Sequence, residues 1–126
     1  MAYVRRHAVT ITTDASGDGS GFTPHVTGRI INVIYTKDGT SPYDAGVDFT
    51  VTLAVSGQAV WTGTDVNASV TVAPRQATHD TVGAASLFAA AGEPVEDYIW
   101  AGNDKVKIVV ASGGVSKTGT FHVTVA

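Results

Sequence analysis

Histidine offers the broadest chemistry in this sequence, because an imidazole can act as a general base or bind a metal near neutral pH. The four histidines are His7, His25, His79 and His122. None of them forms an HxH or HExxH pair, in which two imidazoles can reach one metal ion. His122 lies among threonines in a strand-like stretch, where it fits a surface position. The histidines therefore predict no metal site.

Carboxylates and one serine are the next candidates. Glu93, Glu96 and Asp97 lie near Trp100, and paired carboxylates beside an aromatic ring occur in sugar-cleaving sites. An acidic turn next to a packed aromatic explains these residues more simply. Ser20 is flanked by glycines, but the stretch lacks the Gly-x-Ser-x-Gly elbow between a strand and a helix that exposes a hydrolase serine. The sequence therefore predicts no enzyme.

Asp14 and Asp18 lie in a glycine-rich stretch that could offer oxygen ligands to Ca²⁺, yet their spacing does not match an EF-hand loop. The same stretch lacks the Lys-Ser or Lys-Thr pair of a phosphate-binding P-loop. The chain has no cysteine, which removes disulfides, a thiolate nucleophile and cysteine zinc ligands. We expect no cofactor, no metal and no small-molecule ligand.

The charge balance also limits the classes of partner that the protein can bind. A net charge of -3 argues against nucleic acid, because proteins that bind nucleic acid carry a basic face to neutralise phosphates. The one dense basic cluster is Arg5-Arg6-His7. No stretch approaches the roughly 20 apolar residues of a membrane helix, and the opening residues lack the apolar core of a secretory signal. We expect no membrane partner and no export by that route.

The elements that must position these residues are β-strands. The chain has 19 valines, 17 threonines and 14 glycines, which suit pleated strands joined by tight turns. The clearest strand spans residues 47–55, where the period of two places five apolar side chains on one face: Val47, Phe49, Val51, Leu53 and Val55. We predict one all-β domain over residues 1–126, an antiparallel β-sandwich or barrel-like fold of about seven or eight strands, with a jelly roll among the options.

Other segments follow from the same pattern. Residues 14–21 are polar and glycine-rich, and they predict an exposed, mobile loop. Residues 75–92 favour an irregular loop over a short helix. Ser112-Gly113-Gly114 predicts the turn of a terminal β-hairpin. Further strands are predicted over residues 3–13, 29–37, 60–61, 68–73, 95–101, 105–110 and 115–125.

Three stretches of the chain carry a resemblance to a known class. They are AYVRRHAVTITTDASGDG at the start, AGVDFTVTLAVSGQAVWTGTDVNAS in the middle and DKVKIVVASGGVSKTGTFHVTVA at the end. Together they resemble small virion structural proteins of tailed bacteriophages, most of all head decoration (cement) proteins. The resemblance implies a β-rich subunit, made in the host cytoplasm, that binds the major capsid protein on the outside of the head. It also implies a homo-oligomer, a dimer or a trimer, that stabilises the shell.

Two groups of residues are the candidates for partner binding. Tyr3, Arg5 and Arg6 would belong to an extended N-terminal arm over residues 1–8 that reaches an acidic capsid surface. Three aromatics, Trp61, Tyr98 and Trp100, would contribute an interface. Two other functions stay open: a phage tail or head-to-tail joining component, and a carbohydrate-binding module that uses the three aromatics as an exposed sugar platform.

Overall fold

The computed structural model describes residues 3–126, which form ten β-strands and no helix. No element in that range is a helix long and apolar enough to cross a membrane. The predicted all-β class is confirmed, and two short strands that the sequence pattern did not indicate, β2 and β7, raise the number to ten. The strands are β1 Arg5–Thr12, β2 Gly19–Phe22, β3 Val26–Lys37, β4 Asp48–Leu53, β5 Ala59–Gly63, β6 Val70–Val72, β7 Arg75–Ala77, β8 Glu96–Asp104, β9 Val106–Ala111 and β10 Thr118–Val125.

The strands form two antiparallel sheets that enclose one core. The six-stranded sheet has the order β1-β10-β3-β8-β7, with β6 paired to β3 beyond the point where β8 leaves it. The four-stranded sheet has the order β2-β9-β4-β5. In β4 the residues Phe49, Val51 and Leu53 are buried while the residues between them are not, as the alternation predicts. Val47 is buried as well, but the prediction is wrong for Val55, which follows the end of the strand and is exposed. The result is sandwich-like, the first of the two architectures expected.

An aromatic cluster fills one part of the core. The ring centroids of Tyr35 and Phe49 are 4.7 Å apart, and those of Phe49 and Phe121 are 4.8 Å apart. These rings come from three strands of both sheets, so the cluster joins the sheets. Tyr43 packs beside them and donates a hydrogen bond of 2.6 Å to the Ile11 carbonyl. Burial raises the pKa of the Tyr43 hydroxyl, which therefore stays neutral.

The predicted terminal hairpin is wrong. β9 pairs with β2 and β4 in the four-stranded sheet, whereas β10 pairs with β1 and β3 in the other. The segment around Gly113 and Gly114 therefore crosses from one sheet to the other. Asp44 lies against Gly114, where φ is +84° and an added Cβ would lie 2.5 Å from the Asp44 carboxylate. A glycine pair favours a sharp backbone turn, but it does not distinguish a hairpin from a crossover.

The predicted mobile loop over residues 14–21 is wrong for its second half. The Asp14 carboxylate accepts hydrogen bonds from the backbone N–H groups of Ser16 and Asp18, at 2.8 and 3.1 Å, and so closes a tight turn. β2 then pairs with β9. A Cβ on Gly21 would lie 2.7 Å from Cγ1 of Val9, so this strand is glycine-rich because it passes close to β1.

The predicted N-terminal arm is also wrong over most of its length. Arg5 pairs with Val125, and the pairing continues without a break to Thr12 and Thr118. Residues 5–8 are therefore part of the sheet, and residues 1–2 lie outside the described residues. The irregular loop predicted for residues 75–92 is confirmed as non-helical, except that it begins with the strand β7.

Candidate functional site

The outer face of the six-stranded sheet gathers residues from distant parts of the chain. In β10 the side chains of Phe121 and Val123 are buried, so the alternate residues point away from the core. The registers of β1, β3, β6, β8 and β7 extend this outer set across the sheet. We call this surface the arginine face; its members include Arg6, Arg29, Arg75, Tyr98, Trp100, His122, Thr10, Thr12, Thr36, Thr71, Thr118, Thr120 and Thr124.

Threonines form the flat part of the arginine face, next to β1. The hydroxyls of Thr10 and Thr120 are 3.2 Å apart across the β1–β10 pair. The next pair along the two strands, Thr12 and Thr118, has a hydroxyl distance of 3.4 Å. β-Branched side chains opposite one another stiffen a sheet surface. This part of the face therefore presents short, ordered hydroxyl side chains, with Arg6 and His122 beside them.

Arginines and aromatics form the other part. The guanidinium carbons of Arg29 and Arg75 lie 4.9 and 4.1 Å from the centroid of the Tyr98 ring. These cation–π contacts hold both side chains over the sheet. Arg75 also donates to the Pro74 carbonyl at 2.8 Å, while Trp100 lies opposite Arg29 in register and is 55% exposed. The guanidiniums are thus positioned before any partner arrives.

Charge on this face runs against the charge of the whole protein. The chain carries -3, yet three of its four arginines, Arg6, Arg29 and Arg75, belong to the arginine face. Glu96 is the one acidic side chain that the register places there, at its β7 edge. A guanidinium presents several donors in a plane and binds carboxylates in pairs of hydrogen bonds. The arrangement suits an acidic protein surface.

A cleft lies at the end of the sandwich where β1 begins. Its volume is about 420 Å³, and the residues that line it include Tyr3, Arg5, His7, His25, Val26 and Val125. Arg5 and His7 face this cleft because they alternate with Arg6 along β1. The basic cluster recognised in the sequence is therefore divided between two surfaces. We call this feature the N-terminal cleft.

A third feature extends from the opposite edge of the six-stranded sheet. Residues 78–95 leave the end of β7 and return to the start of β8, and we call this segment the knob. Its side chains are almost all exposed, including those of Val82, Leu87 and Phe88. Glu93 is part of the knob, and Glu96 and Asp97 follow it directly, so the acidic cluster of the sequence lies at its base.

The three aromatics predicted to share one surface do not do so. Trp61 is half-buried and packs against Phe49, with ring centroids 5.8 Å apart, so it belongs to the core side of the four-stranded sheet. Tyr98 and Trp100 lie on the outer face of the other sheet. The joint sugar platform is therefore contradicted by the positions of the rings. Tyr3, Arg5 and Arg6 do lie together at the end of the sheet, although on two faces.

Arg29, Arg75 and the knob were not predicted from the sequence as functional features. Each arginine stands alone in the sequence, and the charge pattern around it gives no signal. The knob had one usable signal: no charged residue occurs from Thr81 to Gly92, which is unusual for a segment expected to be an exposed loop. Within the described residues, no three or more His, Cys, Asp or Glu side chains are grouped to hold a metal ion.

Comparisons with known proteins add little to this description. No protein-family model matches the chain, and no curated protein matches it. Among solved structures, the chain is similar to that in a crystal structure of FlhE, with 11% sequence identity, a TM-score of 0.44 and 98% of each chain covered. A likeness this weak supports no conclusion about function.

Proposed function

We propose that this protein is a bacteriophage capsid decoration protein, which binds the outside of the head through its arginine face and stabilises the shell. The observation that carries the proposal is the concentration of three arginines on one outer sheet face of an acidic protein. The resemblance of the three sequence stretches to virion structural proteins supports the setting.

The arginine face has the properties that a shell-binding surface needs. Its threonine hydroxyls pair across β1 and β10, Arg29 and Arg75 are held over the Tyr98 ring, and Arg75 also donates to a backbone carbonyl. Ordering the side chains before contact reduces the entropy lost on binding. Paired guanidinium–carboxylate hydrogen bonds would supply both orientation and affinity towards an acidic patch of the major capsid protein.

The rest of the fold suits a bracing role. The aromatic cluster joins both sheets, so a load applied to the arginine face is carried by the core as a whole. A shell repeats its binding site many times, so contacts that are individually weak add up over linked subunits. Such a protein stabilises the shell by binding the assembled form more tightly than the free subunits.

Charge reversal on the arginine face tests this proposal. The variant carries Arg29→Glu and Arg75→Glu, and the matched control carries Lys105→Glu and Lys107→Glu beside the four-stranded sheet. Both variants change the net charge equally. Each is mixed with heads of the encoding phage that lack the protein, and the bound fraction is measured after sedimentation. We expect binding to fall at least about tenfold for the arginine variant alone, because it places like charges against an acidic partner.

Two results would contradict the proposal. Equal binding by the arginine variant and the lysine control would show that the arginine face is not the docking surface. Quantitative protein analysis of purified particles provides the other check, because a decoration protein should match the major capsid protein in order of magnitude. A copy number far below that of the capsid protein would instead support a tail or head-to-tail joining component.

A further inference from the structure

The knob has a defined shape although it has no core of its own. The backbone of Thr78 donates to Val95 at 2.8 Å, Ser86 donates to Thr78 at 3.0 Å, and Val95 donates to Ser86 at 2.9 Å. The Asp80 carboxylate closes the first turn by accepting from the backbone N–H groups of Val82 and Ala84, both at 3.0 Å. Its backbone groups are thus paired within the segment, which holds it in one conformation.

Three apolar side chains on the two turns of the knob, which together we call its tip, lie in water. Val82 is 86% exposed, Phe88 is 76% exposed and Leu87 is 42% exposed. No charged residue separates them, since residues 81–92 contain none. A group of apolar side chains held in a fixed, exposed arrangement marks an interaction surface. The knob therefore has the form of an insertion element that is completed by a partner.

The base of the knob is acidic. Asp80, Glu93, Glu96 and Asp97 surround the apolar tip in the sequence, and residues 76–104 contain no lysine or arginine. A partner that accepts the tip must therefore also present positive charge around the place where the tip enters.

The N-terminal cleft provides both properties. Tyr3, Val26 and Val125 supply apolar lining, Arg5 supplies a cation, and His7 and His25 supply imidazoles. Its volume of about 420 Å³ falls in the range of cavities that accept bulky side chains or small ligands. The apolar tip of the knob matches the apolar lining of the cleft, and the acidic base of the knob matches the cation at the cleft.

We infer that copies of this chain associate head to tail, with the knob of one copy inserted in the N-terminal cleft of the next. The knob leaves the sheet at the β7 edge, whereas the cleft lies at the end of the sandwich where β1 begins and β10 ends, so we assign the two halves of the contact to different copies. Two different surfaces meet in such a contact, and repetition either closes a ring or continues as a chain. The inference rests on the proposed function, because the homo-oligomer on a shell is part of that proposal, and it adds which surfaces of the copies meet.

Disulfide trapping tests the contact directly, because the chain contains no cysteine. One chain carries Phe88→Cys and a second, distinguishable by a tag, carries His25→Cys. Both are mixed without capsids under mild oxidation. We expect the mixed F88C–H25C dimer to form much faster than the mixed F88C–V115C dimer, in which Val115 is an exposed apolar residue outside the cleft. Equal rates, or no trapping, would overturn the inference.

Variants with one damaged surface provide the second test. The knob variant carries Val82→Ser and Phe88→Ser, and the cleft variant carries Arg5→Glu and His7→Glu. Each alone should sediment as a monomer, whereas a mixture should give a one-to-one complex and nothing larger, because one intact knob then meets one intact cleft. A cleft variant that still dimerises alone would instead indicate knob-to-knob contact and would refute the head-to-tail arrangement.

These tests separate the inference from the proposed function. They use purified protein without capsids, so a failure to associate overturns the inference even if capsid binding is intact. Conversely, unchanged capsid binding by the arginine variant, together with normal association, would refute docking through the arginine face and leave the inference standing.

Discussion

The aromatic core and the knob place the same kinds of side chain in opposite environments. Phe49 is fully buried among Tyr35, Tyr43, Trp61 and Phe121, drawn from both sheets. Phe88 in the knob is mostly exposed on a segment held by its own backbone hydrogen bonds. Burial in the core stabilises the fold, whereas apolar surface left in water has no such role. The difference separates residues that maintain the fold from residues free to bind a partner.

The largest effect is expected for Phe49→Ala in the core. Removing the ring takes away its contacts with four aromatic neighbours and leaves a cavity between the sheets. The free energy of unfolding should fall by about 3–5 kcal/mol. Urea denaturation followed by tryptophan fluorescence measures the loss. A change below about 1 kcal/mol would mean that the cluster does not hold the sheets together.

A smaller loss is expected for Gly119→Ala, which adds a methyl group to the same core. The new Cβ would lie 2.5 Å from Cε2 of Tyr43 and 2.9 Å from Cε1 of Tyr35, so the rings must move. Overpacking of this kind costs about 1–3 kcal/mol. Gly39→Ala is the control, since nothing lies within 4 Å of its added Cβ. If both variants unfold at the same urea concentration, the rings of Tyr35 and Tyr43 have room for the added methyl group.

The pH dependence of stability should respond to Asp104, at the end of β8. Its carboxylate accepts backbone hydrogen bonds from Val55 at 2.8 Å, and also from Ser56 and Lys105. These bonds hold the pKa of Asp104 below its ordinary value of 3.8. The unfolded chain therefore binds the proton first, and the stabilisation present above pH 3.8 is lost as the pH falls towards the folded pKa.

Asp104→Asn should therefore flatten the acid side of the stability profile measured by thermal unfolding. A residual slope is expected in the variant, because backbone N–H groups also lower the pKa values of Asp14 and Asp38. An unchanged profile would mean that these hydrogen bonds do not lower the pKa of Asp104 in the folded protein, and would contradict the prediction.

The smallest effect on stability is expected for Phe88→Ala, which repeats the core substitution in the knob. The ring is 76% exposed, so its removal should change the free energy of unfolding by no more than about 0.5 kcal/mol. Chemical denaturation of the purified variant, at a concentration where it is a monomer, provides the measurement. A loss as large as that of Phe49→Ala would place the knob within the folded core and remove the contrast between the two regions.

Predictions from the sequence succeeded where a local pattern determines the outcome. The alternation from Val47 to Val55 placed Phe49 in the core, and the β-branched composition indicated an all-β chain. Prediction failed at two glycine-rich segments. β2 is glycine-rich because it lies against β1. The Gly113–Gly114 turn joins the two sheets, whereas a hairpin turn would join two paired strands. In both cases the deciding contact is tertiary, and the local pattern of residues does not specify it.

The candidate sites divide in the same way. Tyr3, Arg5 and Arg6 were found because they are neighbours in the sequence, and the acidic cluster at the base of the knob was visible for the same reason. The grouping of Arg6, Arg29 and Arg75 could not be predicted from the sequence, because it results from the pairing registers of β1, β3 and β7. Trp61 was assigned to the same surface as Tyr98, yet it packs against Phe49 in the other sheet.

The local order of residues establishes the fold class of this protein and the side of each well-patterned strand that faces the core. A period of two is a property of neighbouring residues, and it is independent of which strand lies alongside. Strand order and register depend on the packing of the whole chain, since any two antiparallel strands can form the same hydrogen bonds. Only the folded sandwich therefore determines that the arginine face is a single surface, that the knob leaves the sheet at its β7 edge and that the N-terminal cleft lies at the end of the sandwich where β1 begins.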